Sequence, residues 1–219
     1  KLNNAVTGPD SSIDGGIAVF DGTDGKVIKD AGFEPIKGPE YSTSGNVAIY
    51  DGTTGKVLKD GGITSNVWDV IIEDQKPQGT HGGTFTSGAW RTRDLNTLVF
   101  NHNSLASLSN NRFTLPAGTY CIDWDAPAHR VGGNKSALYN CTTDTIIAYG
   151  SSAFDGNPNG HSTSKSHGTA VVVISSITSF EIRHICEVTY GEAGFGACRA
   201  TSVIPGVEIY TQVRVKKIA

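Results

Sequence analysis

The chain has 219 residues, 37% of them hydrophobic and 18% charged, with 27 glycines and a formal net charge of −3. That hydrophobic fraction is low for one compact globule, so part of the chain is expected to lack a core of its own. The lysines and arginines are dispersed instead of forming a stripe along a phosphate backbone, which argues against nucleic acid as a partner. No apolar run reaches the ~18 residues of a spanning helix, so no membrane insertion is expected. Short β-branched segments between Gly, Asn, Ser and Pro clusters point to an all-β protein.

The chain opens at Lys1 and contains no methionine. A fragment of a longer polypeptide is expected, with attachment to a larger assembly carried by whatever precedes Lys1. Residues 15–32 (GGIAVFDGTDGKVIKDAG) and 45–62 (GNVAIYDGTTGKVLKDGG) are identical at 11 of 18 positions. This period marks supersecondary units that gain stability by stacking. In each unit a short strand (17–20, 47–50) meets an Asp-Gly-Thr-x-Gly turn, then a second short strand (27–28, 57–58), then a Lys-Asp-x-Gly turn. Such a hairpin is marginal alone. Three copies around one axis would bury its Ile, Val, Phe and Tyr side chains and pair its edges, so residues 1–65 read as a stiff trimeric shaft.

From Trp68 onward the strands lengthen. They are expected at 68–72, 97–100, 112–115, 119–125, 136–149, 169–174 and 180–188, with a last one in which Val207, Ile209, Thr211, Val213 and Val215 share one face. Residues 132–134 and the polar stretch 150–168 read as connections. The run 169–174 is apolar at successive positions, so both faces are expected to be covered, the second by another subunit. Residues 66–219 therefore read as a two-sheet jelly-roll β-sandwich.

Chemistry-bearing residues are few. The six histidines lack any H-E-x-x-H or G-x-S-x-G context, so no nucleophile–base pair is indicated, no catalytic residue is assigned, no enzyme is expected and no cofactor is implied. His184 is expected to be a core or trimer-axis histidine. Asp123 and Asp125 share a face about Trp124, which suits a calcium site, an acid–base pair or two solvated carboxylates, so any metal stays open. Arg130 reads as an interface or loop-pinning residue. Cys121, Cys141, Cys186 and Cys198 contain no C-x-x-C, which disfavours zinc. Two readings stand: disulfides joining 186 with 198 and 121 with 141, or free buried thiols. Loops on a rigid β scaffold carry recognition, and Asp155, Asn157, Asn159 and His161, with Tyr190 and Phe195, are candidate contacts to sugar hydroxyls and ring faces.

The stretches GGTFTSGAWRTRDLN (82–96), FTLPAGTY (113–120), APAHRV (126–131), ALYN (137–140), FEIRHIC (180–186), GFG (194–196) and VEIYTQVRV (207–215) resemble the heads of phage tail fibres, which are similar in architecture to the globular domains of complement component 1q and tumour necrosis factor. The Asp-Gly-Thr-x-Gly-Lys units resemble the shaft repeats of such fibres. The resemblance implies a homotrimer on an extracellular virion tail fibre that binds a host cell-surface glycan or receptor, with avidity from three sites and with other virion tail proteins as partners through the part before Lys1. The alternatives are a purely structural trimerisation tip and a surface-polysaccharide depolymerase.

Overall fold

The computed structural model describes residues 18–20, 28–30, 41, 48–50, 57–61, 67–155 and 162–218, and the chain divides into two units, Lys1–Asn66 and Val67–Ala219. In the first unit β1 (Ala18–Phe20) pairs with β2 (Ile28–Asp30), and β3 (Ala48–Tyr50) with β4 (Leu58–Asp60). Ala18 faces Asp30 as Ala48 faces Asp60, so residues thirty positions apart hold equivalent places in the two ladders. The Lys-Asp pairs expected in turns are therefore strand residues. The Asp-Gly-Thr-x-Gly turns lie outside the described residues. Ribbons three residues long have no interior, and Ile49, Tyr50 and Val57 are exposed.

The second unit contains β5 (Val70–Lys76), β6 (Arg91–Thr92), β7 (Thr97–Asn101), β8 (Ser107–Ser109), β9 (Arg112–Leu115), β10 (Gly118–His129), β11 (Gly133–Asn140), β12 (Thr145–Phe154), β13 (Thr163–Ile174), β14 (Thr178–Cys186) and β15 (Glu208–Lys217). One sheet runs β13-β10-β15-β5-β7 and the other β12-β11-β14-β9-β8, with β6 also on β14. All these pairings are antiparallel. From β10 the chain crosses to the second sheet for β11 and β12, returns for β13, crosses for β14 and returns for β15. This is the jelly-roll path.

Period-2 alternation builds the core. Tyr120, Ile122, Trp124 and Ala126 of β10, Val213 and Val215 of β15, and Val70 and Ile72 of β5 meet Phe113 and Leu115 of β9, Leu138 of β11, and Phe180 and Ile182 of β14 between the sheets. Trp124 donates its indole N–H to Ser136 Oγ across the core at 2.8 Å, which satisfies the one polar atom of the largest buried side chain.

Three expectations change. The stretch 136–149 is two strands, because Asn140 Oδ1 accepts from the Thr142 and Thr143 amides at 2.9 and 3.1 Å and Asp144 takes φ 57°, which closes a turn. The polar stretch 150–168 is mostly strand, supplying the end of β12 and the first half of β13. In the last strand a bulge between Ile209 and Gln212 shifts the register, so Glu208 and Tyr210 turn inward with Thr211, Val213 and Val215, while Val207 and Ile209 are exposed. In 169–174 Val172 and Ile174 are buried against the core, while Val171 and Val173, 65% and 78% exposed in the single chain, form a second face on an edge strand that no other described residue covers.

The cysteines resolve in favour of thiols. All four are free. Cys121 lies on β10, whereas Cys141 follows β11 in the other sheet. Burial pushes the Cys141 and Cys186 thiols up to about 11.

Candidate functional site at the loop end of the sandwich

The strand registers sort the connections by length. Val70 pairs with Val215 and Gly118 with Ile174, so the turns at 116–117, 141–144 and 175–177 close the end of the sandwich at which this unit begins. Lys76 pairs with Glu208, His129 with Thr163, Gly133 with Phe154 and Asn134 with Cys186 at the opposite end. There the connections 77–90 and 187–207 emerge together with the short turn 130–132, beside Asp155 and Ser162.

Arg93 organises this end. Its side chain is fully buried. Nε donates to Thr211 Oγ1 at 2.7 Å, Nη1 to the Pro127 carbonyl at 3.0 Å and Nη2 to the Phe195 carbonyl at 2.8 Å. The guanidinium also sits 4.2 Å from the centre of the Phe195 ring. Burial pulls its pKa down to about 9, with Asp74 and Asp94 opposing, so it remains charged at neutral pH. Nothing in the sequence separates Arg93 from its less buried neighbours, because Arg91 and Arg93 both sit in one Trp-Arg-Thr-Arg-Asp run.

A second aromatic cluster lies beside it. Phe85 stacks at 4.4 Å on Phe195 and 4.8 Å from His184, and its backbone pairs with Tyr190 in both directions. His184 is a core residue: Nε2 meets Asn134 Oδ1 at 3.0 Å, and Nδ1 has no hydrogen-bond partner among the described residues. Burial holds its pKa well below the usual histidine value, and Arg93 adds to this. Gly196 takes φ 144° beneath the Tyr210 ring, where a Cβ would fall 2.3 Å from Cδ1.

The six predicted sugar contacts divide. Asp155 is buried, and its carboxylate accepts the Arg130 amide at 2.5 Å and the Ser162 hydroxyl. It therefore fastens the ends of two connections. Tyr190 and Phe195, both in 187–196, each pack against the cluster around Phe85. Arg130, in a positive-φ turn, donates from Nη1 to Tyr190 OH at 2.8 Å and covers its ring at 4.8 Å, as a loop-pinning residue does. Asn157, Asn159 and His161 lie outside the described residues. Glu208 was not expected here; its carboxylate accepts the Gly79, Arg199 and Ala200 amides at 2.8 to 3.2 Å. The bulge at 209–212 turns it inward, and alternation alone conceals that.

Asp123 and Asp125 do share the outer face of β10, but Arg214 binds both, at 2.7 and 3.2 Å. His167 lies 3.4 Å from Asp123 and 3.3 Å from Asp125. Ligand atoms of Asp123, Asp125 and His167 fall within 4.8 Å of one another, while the guanidinium already supplies the positive charge these carboxylates need.

No family model and no curated protein matches the chain. Among solved structures, the globular domain of zebrafish complement 1qA protein is similar over 68% of this chain and 98% of its own, with 14% identity and a TM-score of 0.42. Murine APRIL at pH 8.0 is similar over 67% and 98%, with 6% identity and a TM-score of 0.42. Murine APRIL at pH 8.5 is similar over the same shares, with 8% identity and a TM-score of 0.39.

Proposed function

We propose that this chain is the distal end of a bacteriophage tail fibre, a homotrimer whose jelly-roll head attaches the virion to a host-surface glycan. The observation that carries this reading is a pair of unlike apolar edges on one sandwich. Along one side run the ten-residue β12 and the twelve-residue β13, exposing Ile147, Tyr149, Val171 and Val173. Along the other, β7 exposes Leu98, Val99 and Phe100. Long apolar edges invite further pairing. Two different edges meet head to tail, and a closed ring of three leaves neither open.

The upstream repeats support the same reading, since hairpins with exposed Ile49, Tyr50 and Val57 gain a core only by association. Placing the connections 77–90 and 187–207 at the end of the sandwich opposite the turns at 116–117 and 175–177 suits a head that presents a recognition surface. The depolymerase alternative would rest on Asp123 and Asp125, whose carboxylates are engaged by Arg214. The structural-tip alternative keeps the trimer and omits the ligand.

The test is the solution mass of the whole chain by light scattering, followed by binding of that species to immobilised bacterial surface glycans. A mass of three chains with glycan binding supports the proposal. A single-chain mass overturns the trimer, and a trimer that binds no glycan leaves the structural tip.

A further inference from the structure

At the loop end, the start of β13 and the start of β15 flank a cleft of about 340 Å³ over Pro127. Its polar lining is almost entirely committed elsewhere. Thr163 Oγ1 meets His129 Nδ1 at 3.0 Å, and Tyr210 OH donates to the Thr80 carbonyl at 2.7 Å. The Gln212 amide donates to Glu73 at 2.7 Å and accepts from Arg214 at 3.1 Å. Glu208 holds three backbone amides.

Two lining groups differ. Lys165 and Arg199 are exposed, and neither forms an ion pair with a carboxylate among the described residues. The side-chain bond of Arg199 goes to the Cys198 carbonyl at 2.8 Å, and among the described residues most of its five donors meet no other acceptor. The chain as a whole is net negative, so two cations on one cleft are not a by-product of general basicity. Charge-assisted bonds to an anion are about twice as strong as neutral ones, and an arginine fork matches a carboxylate or phosphate bidentately.

We propose that this cleft is the ligand subsite of the head and takes an anionic unit of a surface polysaccharide, with Lys165 and Arg199 binding its charged group. The inference rests on the attachment reading and narrows it to one ligand chemistry. The anionic group is a carboxylate on a hexuronate-type sugar or a phosphodiester in the polymer backbone, both of which offer oxygens to the same two cations.

The experiment measures binding of the whole chain by calorimetry to three probes: a hexuronic acid oligomer, a glycerol-phosphate oligomer and a neutral hexose oligomer. One or both acidic probes are expected to bind, and the neutral one to bind at least about tenfold more weakly. Lys165→Gln and Arg199→Gln are each expected to weaken acidic binding about tenfold, while Arg199→Lys, which keeps the charge and loses the fork, weakens it less. Whichever acidic probe binds more tightly identifies the source of the anion. Acidic binding that is unchanged in both glutamine variants, or a preference for the neutral oligomer, overturns the cleft and leaves glycan attachment standing. A chain that binds none of the three probes and no immobilised bacterial glycan overturns both readings.

Discussion

Trp124 and Gly168 are register partners on β10 and β13, and the indole ring lies over the glycine. A Cβ at position 168 would sit 2.0 Å from Trp124 Cζ2. The ring cannot retreat, because its N–H is fixed to Ser136. Gly168→Ala is therefore expected to destabilise the sandwich by about 3 kcal/mol, read as a fall in the urea midpoint. An unchanged midpoint would show that the ring has room to move.

Arg93→Met removes three hydrogen bonds and leaves two carbonyl oxygens without their donor. The cost is expected to be about 3 kcal/mol, concentrated at the loop end. Hydrogen exchange followed by mass spectrometry is expected to speed up in peptides covering 190–196 while peptides of β9 and of residues 118–124 of β10 stay protected. Uniform loosening of the whole sandwich would contradict a local anchor.

The folded state disfavours protonation of His184, first through burial and then through Arg93. An unfolded histidine takes a proton near pH 6.5, and the folded one does so only well below it. Stability is therefore full above pH 6.5 and falls as the pH drops below it, by about 1.4 kcal/mol per unit. His129, whose pKa is also lowered, chiefly by burial, adds to the same slope. Denaturant unfolding between pH 7 and 5 measures the sum, and His184→Gln is expected to flatten it. A slope that His184→Gln leaves unchanged would assign the effect elsewhere.

If the exposed face of β13 is the subunit contact, Val171→Glu combined with Val173→Glu is expected to reduce the solution mass from three chains to one. Both positions point away from the core, so secondary structure measured by circular dichroism should not change. Retention of the trimer would move the interface off this edge.

The four thiols are expected to make the chain indifferent to reductant, with the same thermal midpoint in the presence and absence of dithiothreitol. Cys141 and Cys186, with thiols near 11, should react slowly with a thiol reagent at pH 8, where little thiolate forms. A midpoint that drops in reductant would reveal a disulfide.

The core strands are legible in the sequence because Tyr120, Ile122 and Trp124 alternate without interruption, and the repeat is legible because its hairpins keep one register across thirty residues. The path of β15 is not. A bulge inserts one residue without any compositional sign, so strict alternation places Val207 and Ile209 inside and Glu208 and Tyr210 outside, the reverse of what forms. The run 169–174 looks alike whether its second face is covered by its own chain or by another. Arg93 and Arg91 differ only in what lies around them after folding, and that depends on Pro127, Phe195 and Thr211, each tens of residues away.

Two of the three hydrogen bonds made by Arg93 end on main-chain oxygens, at Pro127 and Phe195. Those two bonds respond to the path of the main chain at 127 and 195 and not to the side chains there. Exposed positions of this loop such as Glu192 can therefore be exchanged over many generations, while Phe195, packed on the guanidinium, and Gly196, under the Tyr210 ring, hold its course. An arginine that never reaches the surface thus leaves the surface free to diverge.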